Sequence, residues 1–286
     1  MGGLCTKPEA AEPAAAAAPA VAAATAAAAA AAAAAVPIEG WHDGSKYVGD
    51  FKNGNRHGQG RFTWANGDVY DGEWLNNMED GQGKLTQSSG EYDGEWVMGV
   101  MEGHGTKRWV NGDVYVGNWG QGKQDGHGTF TWGEGVQDGR SVYRGEWRRG
   151  VRDGKGVKEW ADGSKYDGEW SNNLKDGRGT LTTSNGNVYE GQFRQDKKHG
   201  EGKFSWGDGP WKGHMYEGEW IEDRMEGKGQ YTTMINSSVL QSPGIGFPPT
   251  PPQTHPSSAA PKPAYKTAVA PTGPDHSDVT PTPKTS

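Results

Sequence analysis

A single phrase that recurs eight times constrains how this chain can fold. Each copy has a tyrosine, a glycine two residues later, an aromatic residue four later, and the first glycine of a Gly-x-Gly pair eleven later. Residues 70–83, which read YDGEWLNNMEDGQG, are one copy. The signature residues are Tyr47, Tyr70, Tyr92, Tyr115, Tyr143, Tyr166, Tyr189 and Tyr216, with Trp74, Trp96, Trp119, Trp147, Trp170 and Trp220 and, in two copies, Phe51 and Phe193. A fixed internal offset at this period predicts a stacked repeat array.

The spacing inside one copy predicts a β-hairpin. Tyr70, Gly72 and Trp74 are two residues apart, so they share one face of a strand. Gly81, Gly83 and Leu85 are also spaced by two, which predicts a second strand with these three residues on one face. Asn-Gly pairs such as residues 53–54 and 66–67 favour turns at the two ends of the hairpin.

Glycine normally weakens a strand, so its recurrence on the aromatic face needs a reason. We expect a ring from a neighbouring strand to lie flat where the side chain is missing. One hairpin is marginal in water, but stacked neighbours bury the stripe. The prediction is an all-β fold: an elongated, single-layer solenoid of stacked β-hairpins, roughly 80 Å long at ~4.8 Å per strand.

The phrase Y-x-G-x-W followed by G-x-G resembles the MORN repeat, from about Trp41 to Thr233. The resemblance implies a single-layer β-sheet rod that serves as a scaffold or as a protein- or lipid-associated adaptor. We therefore expect a non-enzymatic protein whose partners are other proteins. Three segments follow: residues 1–37 as an N-terminal spacer, 38–233 as the repeat array, and 234–286 as a tail.

Irregularities mark the ends and two turns of the predicted array. Trp41, Gly44 and Tyr47 repeat the spacing of a second half-repeat, which predicts an additional end strand. The turns across residues 132–143 and 206–216 are longer than the others and should project from the same edge, where insertions mark the binding side of solenoids. Trp211 lies in the second insertion, either exposed as an interface anchor or folded over its own loop.

The N-terminus reads MGGLCTK and fits the N-myristoylation pattern, with Gly2 as the acceptor and Thr6 in place. Cys5, the single cysteine of the chain, suits S-palmitoylation beside it. One acyl chain binds membranes reversibly and a second makes the anchor stable. We predict dual acylation at Gly2 and Cys5 and a location at the cytoplasmic face of a membrane; the alternative is an ordinary chain start with an incidental glycine.

The two tails are compositionally biased. Residues 8–37 are Ala/Pro-rich and predict a spacer, because alanine is too weakly apolar for a convincing membrane span and no basic segment precedes it as in a secretory signal. Residues 234–286 are rich in Pro, Ser and Thr and predict a disordered tail. Residues 248–252 read PPTPP, a candidate polyproline II ligand.

Catalytic and cofactor chemistry is not indicated. The carboxylate pairs of the type Asp71/Glu73 recur at one register position, whereas a catalytic pair is a single exception. His57, His104 and His127 sit at the Gly-x-Gly turns without metal-ligand spacing. The glycines form no phosphate or dinucleotide loop. A net charge of −7 argues against nucleic acid as the main partner. We predict no catalytic residue, metal or cofactor.

Two other functions remain open. The array itself could bind phospholipid, with Arg148, Arg149, Arg152, Lys197 and Lys198 as headgroup contacts. The protein could instead be an axonemal or cytoskeletal component without membrane contact. A carbohydrate-binding array is a more distant alternative, since no export signal is present.

A single-layer sheet with an aromatic face must also cover that face, so we expect homodimers, antiparallel or end to end.

Overall fold

The computed structural model describes residues 38–40, 43–134 and 139–233. The chain divides into two units, Met1–Pro37 and Ile38–Ser286, and every described residue belongs to the second. Among the described residues there is no helix that is long and apolar enough to cross a membrane. The strands are β1 Ile38–Gly40, β2 Lys46–Lys52, β3 Asn55–Thr63, β4 Val69–Leu75, β5 Met78–Gln87, β6 Gly90–Val97, β7 Val100–Trp109, β8 Val114–Gly120, β9 Lys123–Thr131, β10 Val142–Arg148, β11 Val151–Glu159, β12 Lys165–Ser171, β13 Leu174–Thr182, β14 Val188–Arg194, β15 Lys197–Ser205, β16 Met215–Ile221 and β17 Arg224–Thr232.

The strands form one sheet in chain order. Each strand pairs antiparallel with the strand before it and the strand after it, from β1 to β17. Each repeat is one hairpin, with the tyrosine on its first strand and the Gly-x-Gly pair on its second. The predicted all-β, single-layer stack of hairpins is confirmed.

The first turn of each repeat has two residues, and both have positive φ. Asn76 and Asn77, for example, have φ of 50° and 72°. Two positive φ values define the type I′ turn, whose twist matches that of the flanking strands. Asparagine, aspartate and glycine tolerate this backbone best, which explains why they occupy the second turn position in all eight repeats.

A β-bulge on the second strand of each repeat contains the first glycine of the Gly-x-Gly pair. Gly81 has a φ of 104°, and the pairing of β4 with β5 shifts between Gly72 and Trp74. A Cβ on Gly81 would meet the Glu73 side chain, whereas a Cβ on Gly83 would meet the Tyr70 ring. The prediction that both glycines lie on the aromatic face was therefore wrong for the first. That glycine serves a left-handed backbone at the bulge, and only the second makes room for a ring.

The aromatic face forms the core of the sheet. Tyr70 is fully buried; its ring lies over Gly83, and its hydroxyl donates to the Glu73 carbonyl at 3.0 Å. Trp74 packs edge-on against Tyr70 of its own repeat and Tyr47 of the preceding one, with centroids 5.1 and 5.4 Å apart. Its Nε1 donates to the Gly60 carbonyl at 2.9 Å. The expected flat ring over a glycine is confirmed, and each tryptophan joins two repeats.

Candidate interaction surfaces

The recurring carboxylates serve the backbone. Glu95 Oε1 accepts the His104 N–H at 2.9 Å, which satisfies an amide at the bulge. Asp80 Oδ2 accepts the Met98 N–H at 3.1 Å, which caps the turn of the following repeat. The role of Glu95 is repeated by Glu146, which accepts the Lys155 N–H, so the second acid of such pairs has a structural function, whereas the first acid, as at Asp71, is exposed. Among the described residues, no three His, Cys, Asp or Glu side chains gather as a metal site would require.

Turn residues also link neighbouring repeats along one edge. Asn173 Oδ1 accepts the Arg152 N–H at 2.9 Å, and the Asn173 N–H donates to the Arg152 carbonyl at 3.0 Å. Asp223 holds Lys198 in the same way, at 2.9 and 3.0 Å. Along this edge, successive turns are therefore joined by hydrogen bonds, and each turn is positioned by the repeat before it.

Arg152 and Lys198, two of the predicted headgroup contacts, lie buried on the aromatic face at 6% and 7% exposure. The Arg152 guanidinium carbon stands 4.4 Å from the Trp170 ring centroid. Lys198 Nζ is 5.5 Å from the centroids of both Phe204 and Trp220 and 3.8 Å from Asp223 Oδ1. Burial lowers the pKa of Lys198. These cations fill a core position rather than present charge to a surface.

Lys175 occupies the same register position and was missed by the sequence reasoning. Its Nζ lies 5.6 Å from the Phe193 ring centroid and 5.8 Å from that of Tyr166, and burial lowers its pKa. The signal was present in the sequence: the residue two before each Gly-x-Gly pair lies opposite the repeat aromatic. Such positions favour long side chains that cover rings with their methylenes and place a cation over the faces.

The three other predicted cations are exposed, and two of them form ion pairs with acidic neighbours. Arg148 Nη1 is 3.3 Å from Asp153 Oδ1, and Lys197 Nζ is 3.0 Å from Glu222 Oε2. Arg149 sits in the positive-φ turn position and donates its backbone N–H to an Asp125 oxygen at 3.2 Å. Two of the three exposed cations of this predicted basic surface are therefore paired with carboxylates.

Trp211 folds over its own loop. It is half-buried against the core and packs edge-on against His214, with ring centroids 5.3 Å apart. His214 Nδ1 lies 2.8 Å from the Tyr231 hydroxyl oxygen, which ties the loop to the last strand. In the other insertion, residues 135–138 lie outside the described residues, as do Trp41, Gly2 and Cys5.

Five exposed apolar side chains cluster on the turns of the second and third repeats. We call Leu75, Met78, Val97, Met98 and Val100 the apolar turn patch; their exposures run from 36% to 57%. The two turns are neighbours, because the Gly99 N–H donates to the Glu79 carbonyl at 2.8 Å. Sequence reasoning missed this patch, although these positions are mostly polar in the other repeats.

The geometry defines a class of protein: an antiparallel repeat sheet held by tyrosine–glycine–tryptophan contacts, with extended surfaces. The family model of the MORN repeat matches residues 47–69, 70–91, 92–114, 115–137, 143–165, 166–188, 189–210 and 216–233. The chain belongs to the MORN repeat family. No enzyme domain is found in it, and the repeats indicate a scaffold or binding protein.

Other comparisons add little. No curated protein matches the chain. Among solved structures, the chain is similar to the TCP domain of SAS-4 (dCPAP) of Drosophila melanogaster, in complex with a proline-rich motif of Ana2 (dSTIL). The two are 12% identical, the alignment covers 71% of this chain and 92% of that chain, and the TM-score is 0.29. That similarity is too low to bear on function.

Proposed function

We propose that this protein is a non-enzymatic scaffold whose MORN sheet binds other proteins and whose N-terminus tethers it to the cytoplasmic face of a membrane. The observation that carries the scaffold role is the continuous sheet itself. Recurring carboxylates such as Asp80 and Glu95 accept backbone N–H groups, and the repeat aromatic residues pack between repeats. The exposed surface of the sheet is therefore the part available for binding other proteins.

The apolar turn patch supports protein binding at one edge. Exposed apolar clusters on soluble proteins often mark interaction sites. Met98 has a φ of 49° at the first turn position, as other residue types have in the other repeats, for example Asn76 at 50° and Gln121 at 51°. Met98 is the apolar exception at this position among the eight repeats, and its side chain is 57% exposed.

A substitution in the patch separates binding from folding. Met98→Asn places the residue of the neighbouring turn at this backbone and should raise the free energy of unfolding by up to about 1 kcal/mol. The same change should weaken capture of the protein's partners. Gln195→Asn, at the same turn position of the seventh repeat (φ 50°), is the matched control outside the patch. If Met98→Asn leaves partner capture unchanged, the patch is not a binding surface.

The membrane tether rests on Gly2 and Cys5. Gly2 follows the initiator methionine in a myristoylation pattern, and Cys5 lies close enough for a second acyl chain. A single myristoyl chain gives marginal binding, whereas two chains give a stable anchor. The spacer of residues 8–37 would then separate the membrane from the sheet in sequence.

Fractionation of cells tests the tether. The wild-type chain should pellet with membranes, and Gly2→Ala should be soluble. Cys5→Ser should be largely soluble, because it keeps only one acyl chain and that chain binds membranes weakly. Metabolic labelling with an alkynyl myristate should mark the wild type and not Gly2→Ala. If all three chains fractionate alike, acylation at these residues does not determine location, and the cytoskeletal alternative gains support when the pellet resists detergent.

Phospholipid binding by the array has weaker support. Two of its five proposed contacts, Arg152 and Lys198, are buried against rings, and two more, Arg148 and Lys197, are paired with carboxylates. We also propose that the protein forms homodimers. Light scattering at high protein concentration would measure its molar mass, and a strictly monomeric mass would count against homodimers.

A further inference from the structure

Seven junctions inside the sheet share one design. In each, the second strand of a repeat pairs with the first strand of the next, so that the first glycine of Gly-x-Gly lies opposite the repeat aromatic and the second lies opposite a glycine. In six of them the aromatic is tryptophan, and its Nε1 donates to the carbonyl of the second glycine. These junctions show which strand sequence pairs with the outer edge of a Gly-x-Gly strand, namely Tyr-x-Gly followed two residues later by an aromatic residue.

The last strand, β17, carries the same edge without a following strand among the described residues. Its second glycine, Gly229, is exposed, whereas Gly60 and Gly83 at the same position are buried. The tyrosine of that repeat, Tyr216, is 9% exposed, against 0–1% for the other seven. Tyr216 packs against Trp220 of its own repeat, and no described tryptophan of a next repeat covers its other side.

We propose that the outer edge of β17 binds a β-strand of the pattern Tyr-x-Gly-x-Trp, supplied by the first strand of another repeat array. The incoming strand would pair in the register of the seven internal junctions, with its tryptophan opposite Gly227 and its glycine opposite Gly229. Its indole N–H would donate to the Gly229 carbonyl, and its ring would cover Tyr216. This deepens the proposed scaffold function by naming the chemistry of one partner, and it is independent of acylation.

The N-terminal strand of a second copy fits this edge poorly. In β2 the residues Lys46–Val48 are already paired with β1, through Ile38↔Val48, Glu39↔Tyr47 and Gly40↔Lys46. Internal junctions use six or seven residue pairs, and of the six corresponding positions in β2, β1 leaves Gly49, Asp50 and Phe51 without a partner strand among the described residues. Phe51 also lacks the indole N–H. The two ends thus differ among the described residues: β1 pairs with half of the β2 edge, and no described strand pairs with the outer edge of β17.

Charge favours an acidic residue between the glycine and tryptophan of the partner. In the internal register the residue between the two glycines faces the residue before the tryptophan, as Gln59 faces Glu73. In β17 that residue is Lys228, which is exposed. A partner strand reading Tyr-x-Gly-Glu-Trp would place its glutamate opposite the Lys228 ammonium. Opposite charges directly across an antiparallel pair stabilise it.

A peptide from the chain itself is a suitable probe. Residues 68–76, DVYDGEWLN, labelled with fluorescein, would be titrated with the full-length, non-acylated protein while anisotropy is followed. Saturable binding is expected. The peptide with Trp74→Ala should bind at least about tenfold more weakly, because a buried indole is an interface anchor. Equal binding of a scrambled peptide, or no binding of the native one, would overturn the proposal.

Charge exchange locates the contact on β17. Lys228→Glu, an exposed substitution that should leave folding intact, should weaken the native peptide by about two- to fivefold. A peptide carrying Glu73→Lys should recover that loss with Lys228→Glu. If Lys228→Glu binds both peptides as the wild type does, the peptide does not bind at β17.

Hydrogen exchange on the full chain tests whether the edge is open. Half of the β17 amides should exchange rapidly in the free protein and become protected when the peptide is added. Protection before peptide is added would show that another segment of the chain fills the edge, and this would overturn the proposal. Because acylation is absent from both assays, failure here would leave the tether untouched.

Discussion

Gly83→Ala is the sharpest test of how each repeat holds together. The new methyl group would lie 2.6 Å from Tyr70 Cε2 and closer still to the Tyr70 hydroxyl, so the ring must move. The ring is fully buried and is held edge-on by Trp74 and Trp96, with centroids 5.1 and 5.4 Å away. Overpacking of a core costs about 1–3 kcal/mol. Loss of the Tyr70–Glu73 hydrogen bond adds about 1 kcal/mol.

We therefore expect Gly83→Ala to lower the free energy of unfolding by about 2–4 kcal/mol. Gly67→Ala is the matched control: its φ is +89°, but nothing lies within 4 Å of the added Cβ, so its cost should be only the backbone term of about 1 kcal/mol. Unfolding in urea, followed by tryptophan fluorescence, would compare them. Hydrogen exchange should place the loss in the second repeat and its neighbours, because stability in arrays is nearly a nearest-neighbour sum.

A double-mutant cycle isolates the clash. Tyr70→Ala removes the ring and is costly by itself, but Gly83→Ala on that background should cost less than about 1 kcal/mol, since there is no ring to displace. If Gly83→Ala costs the same with and without Tyr70, or no more than Gly67→Ala, the glycine does not serve as the floor beneath the ring, and the packing argument fails.

Three further predictions use variation among the repeats and the buried ionisable groups. Phe193→Trp should raise the free energy of unfolding by about 0.5–1.5 kcal/mol by supplying the indole donor found in six other repeats; a loss in urea unfolding would contradict this. Lys198→Met should be neutral or stabilising by about 1 kcal/mol, because burial lowers the pKa of Lys198 and Met225 already occupies the matching position; a loss above 2 kcal/mol would contradict it. Burial raises the pKa of Tyr47 to about 12, above its unfolded value near 10, so its stabilising contribution is complete below pH 10 and lost as pH rises through 12. Burial raises the pKa of other repeat tyrosines too, so Tm should fall steeply above pH 10. A Tm that does not change with pH above 10 would contradict the burial of these tyrosines in their neutral form.

The repeat fold was predictable because period, register and turn chemistry agree. Tyr70, Gly72 and Trp74 do share a face, and the Asn-Gly pairs do form turns. The role of Gly81 was not predictable from alternation alone, because a bulge changes which face a residue takes. Spacing by two assumes a regular strand, and a left-handed glycine breaks that assumption.

The surfaces were harder to predict than the fold. A lysine or arginine in a sequence suggests exposed charge, yet Arg152 and Lys198 lie over rings because the residue opposite each repeat aromatic must cover it. Conversely, no sequence pattern pointed to Val97 and Met98, which are exposed because Val97 ends the strand beside a two-residue turn and Met98 lies in that turn. Register within the hairpin, rather than residue type, decides burial in this sheet.

Flotation with lipid vesicles tests the tethered-scaffold account most directly. Full-length protein would be prepared unmodified and N-myristoylated, and each would be mixed with vesicles of phosphatidylcholine containing about a quarter phosphatidylserine, a membrane charge suited to detecting weak basic contacts. The account predicts that the unmodified chain stays at the bottom of the gradient, that the myristoylated chain floats in part, and that a second acyl chain at Cys5 makes flotation nearly complete. Flotation of the unmodified chain would contradict the account, because the array itself would then bind lipid.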